Sequence, residues 1–271
     1  MPDVVIIGGG PAGLSAALTL RARGKTVTVV TAGEMGSHLY KAERVENYPG
    51  LPGASGRDLL QAMTAQAKAQ GAEFLHGRAT SAMPLSGRFG VAVGSEYLDA
   101  GCLIVTSGIS MGRPYPGEAE YLGRGVSYCA TCDGMMYRSK PVAVIGLCDD
   151  APEEADFLGR IGCQVEYFDK TRAKDYEIRG EQTVTTLIAD GAEYPVQGIF
   201  ILRSGVAPTS LLPGLETENG AIKTDRSMST SIPGVFAAGD CTGAPYQAAK
   251  AVGEGNIAAL SAVKYLDTKE K

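Results

Sequence analysis

Two cysteines separated by two residues, Cys129 and Cys132, are the strongest indication of chemistry in this sequence. Thiols at this spacing can close a small disulfide loop, and a helix that begins at Cys132 or Asp133 would lower a thiol pKa through its N-terminal dipole. The alternative is half of a zinc site, which needs four ligands and usually a second pair at similar spacing. The chain has only two histidines, and the remaining cysteines are isolated. The pattern therefore favours a redox-active dithiol and no metal.

A glycine-rich segment near the start of the chain predicts a bound dinucleotide. The short apolar run Asp3 to Ile7 reads as a buried strand, and Gly8-Gly9-Gly10-Pro11-Ala12-Gly13 follows it directly, before a helical pattern. In this strand–turn–helix context, Gly8 permits a tight turn, Gly10 lets a pyrophosphate approach the backbone, and Gly13 allows close packing of helix on strand. The phosphates would then lie at a helix N-terminus. The second strand ends near Thr31 and Glu34, the polar candidates for ribose recognition.

Composition restricts the class of protein further. Glycine contributes 36 of 271 residues, and the net charge is −5 without a run of Lys or Arg, so nucleic acid is not an expected partner. No apolar stretch is long enough to span a membrane, and the first residues do not resemble a signal peptide. We expect a cytoplasmic protein, where static disulfides are rare.

The order of elements predicts an α/β fold with two Rossmann-like domains. Apolar runs typical of buried parallel strands recur at Cys102 to Val105, Pro141 to Ile145 and Gly198 to Leu202, with helical patterns between them. Near residue 231 the pattern of the first unit resumes and leads to a long C-terminal helix. We therefore predict a discontinuous dinucleotide-binding domain, residues 1–113 and 230–271, with a smaller Rossmann-like domain, residues 114–229, inserted into it.

Four segments together resemble the low-molecular-weight thioredoxin reductases. They are Gly8 to Gly13, Val45-Glu46-Asn47-Tyr48-Pro49-Gly50, Gly125 to Gly134 with its Cys-Ala-Thr-Cys, and Gly234 to Asp240. The resemblance covers most of the chain and implies FAD in the discontinuous domain (1–113 and 230–271) and a dithiol on the inserted, degenerate NAD(P)-type domain (114–229). It also implies a homodimer and thioredoxin as substrate. It further implies that Cys132 is the sulfur nearer to the flavin and that Asp133 is the acid/base for the thiol proton. Catalysis is accordingly assigned to Cys129, Cys132 and Asp133.

The glycine motif and the resemblance together define the candidate FAD-binding residues. These are Gly8, Gly10, Pro11, Ala12, Gly13, Thr31, Glu34, His38, Leu39, Asn47, Thr106, Gly108, Gly239, Asp240, Tyr246, Gln247 and Ala248. Two segments depart from the family pattern: Gly36-Ser37-His38-Leu39 replaces Gly-Gly-Gln-Leu, and Tyr246-Gln247 replaces Arg-Gln.

The inserted domain departs from the family at its nucleotide site. Its phosphate loop reads Gly146-Leu147-Cys148-Asp149-Asp150-Ala151, with a cysteine at the central glycine position. Each carboxylate beside a pyrophosphate costs on the order of 1–4 kcal/mol. The family's His-Arg-Arg cluster for the 2′-phosphate is replaced by the segment Glu166-Tyr167-Phe168-Asp169-Lys170, in which Asp169 would suit a 2′-hydroxyl. The region favours a domain that positions the dithiol over a working nicotinamide site.

These departures make the ferredoxin-dependent flavin thioredoxin reductases the best match within the wider family. The resemblance then implies ferredoxin as electron donor and exchange with thioredoxin through a mixed disulfide. Three alternatives stay open: an NAD(P)H-dependent thioredoxin reductase with a divergent nucleotide site, an oxygen-dependent dithiol oxidase, and a flavin-binding sensor without enzymatic activity.

Overall fold

The structure, a computed structural model, describes residues 1–32, 37–108, 114–128, 130–148, 151–203 and 208–269, and only the backbone of residues 38, 41, 131, 132, 208 and 209. Packing divides the chain into two compact units. Unit 1 comprises Met1–Ser110 with Gly205–Lys271, and unit 2 comprises Met111–Ser204. One unit is thus discontinuous and the other is inserted into it.

The described residues form strands and helices in the following order. They are β1 (Val4–Ile7), α1 (Pro11–Ala22), β2 (Val27–Thr31), α2 (Gly56–Ala69), β3 (Glu73–His76), β4 (Ala79–Leu85), β5 (Arg88–Val93), β6 (Glu96–Ala100), β7 (Cys102–Val105), α3 (Glu118–Tyr121), β8 (Val126–Ser127), α4 (Ala130–Asp133), β9 (Pro141–Gly146), α5 (Ala151–Arg160), β10 (Gln164–Phe168), β11 (Tyr176–Gly180), β12 (Val184–Ala189), β13 (Ala192–Pro195), β14 (Gly198–Leu202), α6 (Pro208–Leu211), β15 (Thr217–Glu218), β16 (Ala221–Ile222), β17 (Val235–Ala237) and α7 (Ala248–Lys269). Short 3₁₀ helices span His38–Lys41, Gly134–Tyr137 and Asp240–Thr242.

Unit 1 is built on a five-stranded parallel sheet in the order β17-β7-β1-β2-β3. The central strands β1 and β7 are buried throughout, as their β-branched and apolar residues predict. Helices α1 and α7 pack so closely that a Cβ at Gly255 would lie 2.1 Å from the carbonyl oxygen of Ala12. A separate antiparallel sheet, β4-β5-β6, follows β3. Because all five strands are parallel, the loops after β1, β2, β7 and β17 meet at one edge of the sheet.

Unit 2 contains a smaller parallel sheet in the order β10-β9-β14-β8. Helix α5 connects β9 to β10, which makes one β-α-β unit. A three-stranded antiparallel sheet, β11-β12-β13, completes the unit. The prediction of an α/β fold with two Rossmann-like domains, one inserted into the other, is confirmed.

The structure differs from the sequence-based reading in three places. Residues 208–229 pack with unit 1, because α6 lies against β4 and β16 lies against the Asp240–Thr242 helix, whereas the sequence grouped them with the insertion. The helix at the dithiol begins at Ala130 and not at Cys132 or Asp133. Strand β11 forms in a segment for which no strand was predicted. No helix among the described residues is long and apolar enough to cross a membrane.

Candidate functional site

The turn after β1 accepts only glycine at two positions. Gly8 has a φ of +121°, and a Cβ there would lie 2.2 Å from the carbonyl oxygen of Thr106. A Cβ at Gly13, in the first turn of α1, would lie 2.0 Å from the carbonyl oxygen of Gly8. The Thr106 hydroxyl donates a 2.8 Å hydrogen bond to that same carbonyl. The segment therefore makes the tight turn and the close helix–strand packing that its glycines predict.

The N-terminus of α1 has the geometry of an anion site. Gly10 is the N-cap in extended conformation, Pro11 is the first helical residue, and the first turn has no acidic residue. Among the described residues, the nearest atom to a Cβ at Gly10 is Oγ of Ser37, at 4.0 Å. A pyrophosphate can approach the backbone here, where the free N–H groups and the helix dipole favour negative charge.

The loop after β2 approaches the glycine turn at Thr31. A Cβ at Gly9 would lie 2.6 Å from Oγ1 of Thr31, so the threonine predicted to contact the ribose lies directly beside the turn. Glu34 lies outside the described residues, as does the side chain of His38. The carbonyl group of Leu39 lies against the start of α2, because a Cβ at Gly56 would be 1.7 Å from the Leu39 carbonyl oxygen.

The other predicted FAD contacts lie around the same edge or on exposed loops. Gly108 follows Thr106 with a φ of +69° and, among the described residues, no atom within 4 Å of a Cβ placed there. Asn47 is exposed, in the loop that the pairing of Val45 with Ala54 closes. Tyr246 and Gln247 are exposed immediately before α7, which begins at Ala248.

The loop after β17 is held by two side chains of α7 that the sequence reading missed. Glu254 Oε2 accepts hydrogen bonds of 2.9 Å from the Gly239 amide and from the Thr242 hydroxyl. Lys250 Nζ donates to the carbonyl oxygens of Gly239 and Gly243, at 2.9 and 2.7 Å, and to Oγ1 of Thr242 at 3.1 Å. The two side chains also form an ion pair at 3.2 Å.

This arrangement fixes the Gly239–Gly243 loop beside α1. A Cβ at Gly239 would lie 2.9 Å from Cβ of Ala12, so the loop borders the glycine turn. A Lys–Glu pair at i,i+4, two residues after the predicted flavin contacts, is the signal from which the sequence could have indicated this role.

The dithiol turn lies in unit 2 and is held by two polar contacts. Cys129 lies outside the described residues, and only the backbone of Cys132 is described. Ser127, at the end of β8, donates a 2.7 Å hydrogen bond to Oδ2 of Asp133. The Ala130 amide donates to Oε2 of Glu154, on α5, at 3.1 Å. The sequence analysis assigned a role to Asp133 but overlooked Ser127 and Glu154.

A buried ion pair supports the backbone just before the dithiol. Glu118 and Arg203 have side-chain exposures of 3% and 6% and form two hydrogen bonds, and the guanidinium lies 4.9 Å from the ring centroid of Tyr115. The hydroxyl of Tyr128, the residue before Cys129, donates to Oε1 of Glu118 at 2.9 Å. Isolated charges in the sequence gave no indication of this pairing.

The first glycine of the predicted phosphate loop of unit 2 lies against an aromatic side chain. A Cβ at Gly146 would lie 2.3 Å from Oη of Tyr167 and 2.7 Å from its Cζ. Burial is the main cause that raises the pKa of Tyr167, with smaller contributions from Asp169 and Cys148. Cys148 is itself buried in the unit 2 core, and Asp149 and Asp150 lie outside the described residues.

Asp169, the predicted partner of a 2′-hydroxyl, is engaged within its own turn. Its Oδ1 accepts hydrogen bonds from the amide and hydroxyl of Thr171, at 2.8 and 2.6 Å, and from the amide of Arg172 at 2.9 Å. These bonds, above all that from the Thr171 hydroxyl, lower the pKa of Asp169. The carboxylate therefore closes a turn after β10.

The fold and the glycine turn define a dinucleotide-binding α/β protein with a second, smaller parallel-sheet unit. The family model described as pyridine nucleotide-disulphide oxidoreductase matches residues 2–173 and 169–255. A thioredoxin reductase of Aquifex aeolicus is 37% identical over 307 aligned positions, which cover 99% of this chain and 94% of the relative. A crystal structure of a ferredoxin-flavin thioredoxin reductase from Clostridium acetobutylicum matches with a TM-score of 0.92 at 35% identity, covering 99% of this chain and 98% of the other. The structure of a thioredoxin reductase from Gloeobacter violaceus matches with a TM-score of 0.84 at 31% identity, covering 100% and 96%.

The chain belongs to the pyridine nucleotide-disulphide oxidoreductase family and, within it, groups with the thioredoxin reductases. The predicted resemblance and the predicted cofactor, FAD, are confirmed at this level. The residues of unit 1 fit that cofactor, because Gly10 and Pro11 leave a free helix N-terminus at the sheet edge. The assignment of individual FAD contacts stays a prediction.

Proposed function

We propose that this protein reduces thioredoxin with electrons from ferredoxin through a Cys129–Cys132 dithiol. Two reduced ferredoxins give up one electron each, and the enzyme disulfide takes two electrons and two protons to become a dithiol. The dithiol then returns to a disulfide, while the thioredoxin disulfide takes the two electrons and two protons by thiol–disulfide exchange. When bound, FAD supplies the redox chemistry that collects single electrons and passes them on as a pair.

The observation that carries the choice of donor is Cys148, whose buried side chain stands at the central glycine position of the loop after β9. A pyridine nucleotide needs its pyrophosphate against the backbone at this central position, which in unit 1 is Gly10, where the nearest described atom to an added Cβ lies 4.0 Å away. The central position of the loop is Cys148, followed by two aspartates. Steric and electrostatic obstacles therefore coincide at the point where NADPH would bind.

The comparisons support the same choice. The ferredoxin-flavin thioredoxin reductase from Clostridium acetobutylicum and this chain cover each other almost completely. The alignment with the Aquifex aeolicus thioredoxin reductase extends over 307 positions, whereas this chain has 271 residues, so that relative contains segments without a counterpart here.

The residues of the two units have separate tasks in this proposal. Gly10 and the following turn of α1 bind the pyrophosphate, while Lys250 and Glu254 keep the Gly239 loop in place. Asp133 takes and returns the proton at Sγ of Cys132, and the Ser127 hydroxyl orients its carboxylate for this transfer.

Partner and location follow from surface and cysteine properties. Met135 and Met136, directly after the dithiol turn, are 60% and 62% exposed, and flexible apolar side chains suit contact with a protein partner such as thioredoxin. Cys102, Cys163 and Cys241 are free thiols, as is usual in a reducing cytoplasm. We also expect a homodimer, which light scattering of the purified protein would measure.

An anaerobic experiment tests the proposed donor. The purified protein is offered reduced ferredoxin, NADPH or NADH separately, and the thiols formed on thioredoxin are counted. We expect thiols with ferredoxin only, and none with the Cys132→Ser variant. Rapid flavin bleaching and thiol formation with NADPH or NADH would instead favour a pyridine-nucleotide enzyme. Peroxide formation from a small dithiol in air, without thioredoxin reduction, would favour a dithiol oxidase.

A further inference from the structure

We propose that Glu154 is a positioning residue of the dithiol, which fixes the backbone of the dithiol turn and keeps a negative charge beside it. The proposal rests on the proposed function only in taking Cys129 and Cys132 as the redox pair. It assigns to α5, the helix after the altered phosphate loop, the task of holding the dithiol turn.

The contact that carries this proposal involves the peptide bond of a redox cysteine. The nitrogen that donates to Oε2 of Glu154, at 3.1 Å, is the amide that links Cys129 to Ala130. Glu154 is half-buried in the first turn of α5, whereas its neighbour Glu153 is exposed. The carboxylate therefore holds the dithiol turn at its first residue.

Apolar packing fixes the opposite end of the turn on the same helix. A Cβ at Gly134, directly after Asp133, would lie 2.8 Å from Cδ2 of Leu158 and 3.0 Å from Cδ1 of Ile161. Ala130 is fully buried in one cluster with Leu158. Both ends of the dithiol turn thus lie against α5 or against Ile161, the residue after this helix. The orientation of the turn therefore depends on α5.

The charge of Glu154 has a predictable effect on the redox equilibrium. The carboxylate of Glu154 accepts the hydrogen bond of the Ala130 N–H group, so this group cannot donate to a thiolate at Cys129. Its negative charge also disfavours a second negative charge on that sulfur. Stabilising the reduced form makes a dithiol a weaker reductant, and destabilising it makes a stronger one. Glu154 should therefore keep the Cys129–Cys132 pair more reducing than an uncharged residue would.

Three variants of the full-length flavoprotein separate charge from hydrogen bonding. Glu154→Gln removes the charge but keeps an acceptor oxygen, Glu154→Ala removes both, and Glu153→Gln removes a charge from the same helical turn without touching the Ala130 amide. The thiol–disulfide equilibrium constant of each is measured in glutathione buffers at pH 7, together with the alkylation rate of Cys129. Retained flavin and an unchanged thermal midpoint verify that each variant is folded.

We expect Glu154→Gln to shift the equilibrium about fivefold towards the dithiol, equivalent to about 20 mV, and to speed alkylation of Cys129 by a similar factor. Glu154→Ala should in addition slow thioredoxin reduction, while Glu153→Gln should match the wild type. Equal equilibrium constants for wild type, Glu154→Gln and Glu153→Gln would overturn the role of Glu154 and leave the proposed function intact. If Cys129 and Cys132 of the wild type do not form a disulfide in the glutathione buffers, or if Cys132→Ser still reduces thioredoxin, both the role of Glu154 and the proposed function are wrong.

Discussion

The ring of Tyr167 covers Gly146, so that a methyl group on this glycine would lie 2.3 Å from the phenol oxygen. In a working nucleotide site the backbone at this turn must be open to the pyrophosphate. The position that the pyrophosphate must approach lies two residues further on, where unit 2 has the buried Cys148 and unit 1 has Gly10.

NADPH and NADH should therefore bind with dissociation constants above about 1 mM, which corresponds to less than about 4 kcal/mol of binding free energy. Tyr167→Ala should not restore binding, because Cys148 still stands at the central glycine position and two aspartates follow it in the sequence. Equilibrium dialysis measures both. Micromolar binding to the wild type would contradict the expectation, and micromolar binding to the variant would show that the ring alone blocks the site.

Removing the hydroxyl of Ser127 should slow thiol–disulfide exchange. Ser127→Ala deletes the 2.7 Å hydrogen bond to Asp133, and hydrogen bonds to charged groups contribute about 1.5–3 kcal/mol. We expect kcat for thioredoxin reduction to fall about tenfold with little change in KM, because the bond orients a carboxylate and does not contact thioredoxin. Ser127→Thr keeps a hydroxyl and should recover most of the rate. If Ser127→Thr is as slow as Ser127→Ala, the loss of rate comes from altered packing and not from the missing hydrogen bond.

Lys250→Met should weaken FAD binding without affecting unit 2. The ammonium group makes three hydrogen bonds to the Gly239–Gly243 loop and pairs with Glu254. Without them the loop gains freedom that binding must remove, and we expect the FAD dissociation constant to rise about tenfold, or about 1.4 kcal/mol. Flavin titration of the apoprotein measures this, with Lys264→Met, an exposed lysine of α7, as the matched control. An unchanged affinity of Lys250→Met for FAD would show that the Lys250 hydrogen bonds to the loop do not contribute to cofactor binding.

Breaking the Glu118–Arg203 pair should destabilise the protein strongly. Both side chains are almost fully buried, so Glu118→Gln leaves the guanidinium without a counter-charge and should lower the free energy of unfolding by about 3–5 kcal/mol. Urea denaturation followed by circular dichroism measures the change. The double variant Glu118→Leu/Arg203→Met removes both charges and should lose less stability than either single variant.

Stability should fall at alkaline pH because of two buried thiols. Burial raises the pKa of Cys102 and of Cys241 from 9.0 to about 12. The folded state therefore holds these protons more tightly than the unfolded state does, so the stabilisation is complete below pH 9 and is lost as the pH rises from 9 towards 12. The urea midpoint should decline over this range, and more gradually in Cys102→Ala/Cys241→Ala. An equally steep decline in the double variant would assign the effect to other groups.

The same burial predicts a simple alkylation pattern. At pH 7, iodoacetamide should alkylate Cys129 and Cys132 of the reduced native protein and leave Cys102 and Cys241 unmodified. The reason is that only thiolates react readily. Peptide mass mapping after a short exposure distinguishes the four sites. Rapid modification of Cys241 would contradict its burial.

Local sequence determined the glycine turn and most of the parallel strands. The run from Val4 to Ile7 and the glycines at Gly8 and Gly13 carry their own conformational requirements, since buried strands need apolar β-branched residues and a tight turn needs a residue without Cβ. The two-unit α/β organisation followed from the order of such segments. The four motifs indicated the family for the same reason: each has its residues adjacent in the chain.

Only the tertiary structure decided which distant side chains meet. Nothing in the sequence around Ala130 indicates that Glu154 accepts its amide, or that Tyr167 covers Gly146. The grouping of residues 208–229 with unit 1 likewise depends on packing of α6 against β4. These contacts join elements that are separated along the chain, and their geometry depends on strand register and helix packing, which residue types and spacing alone do not specify.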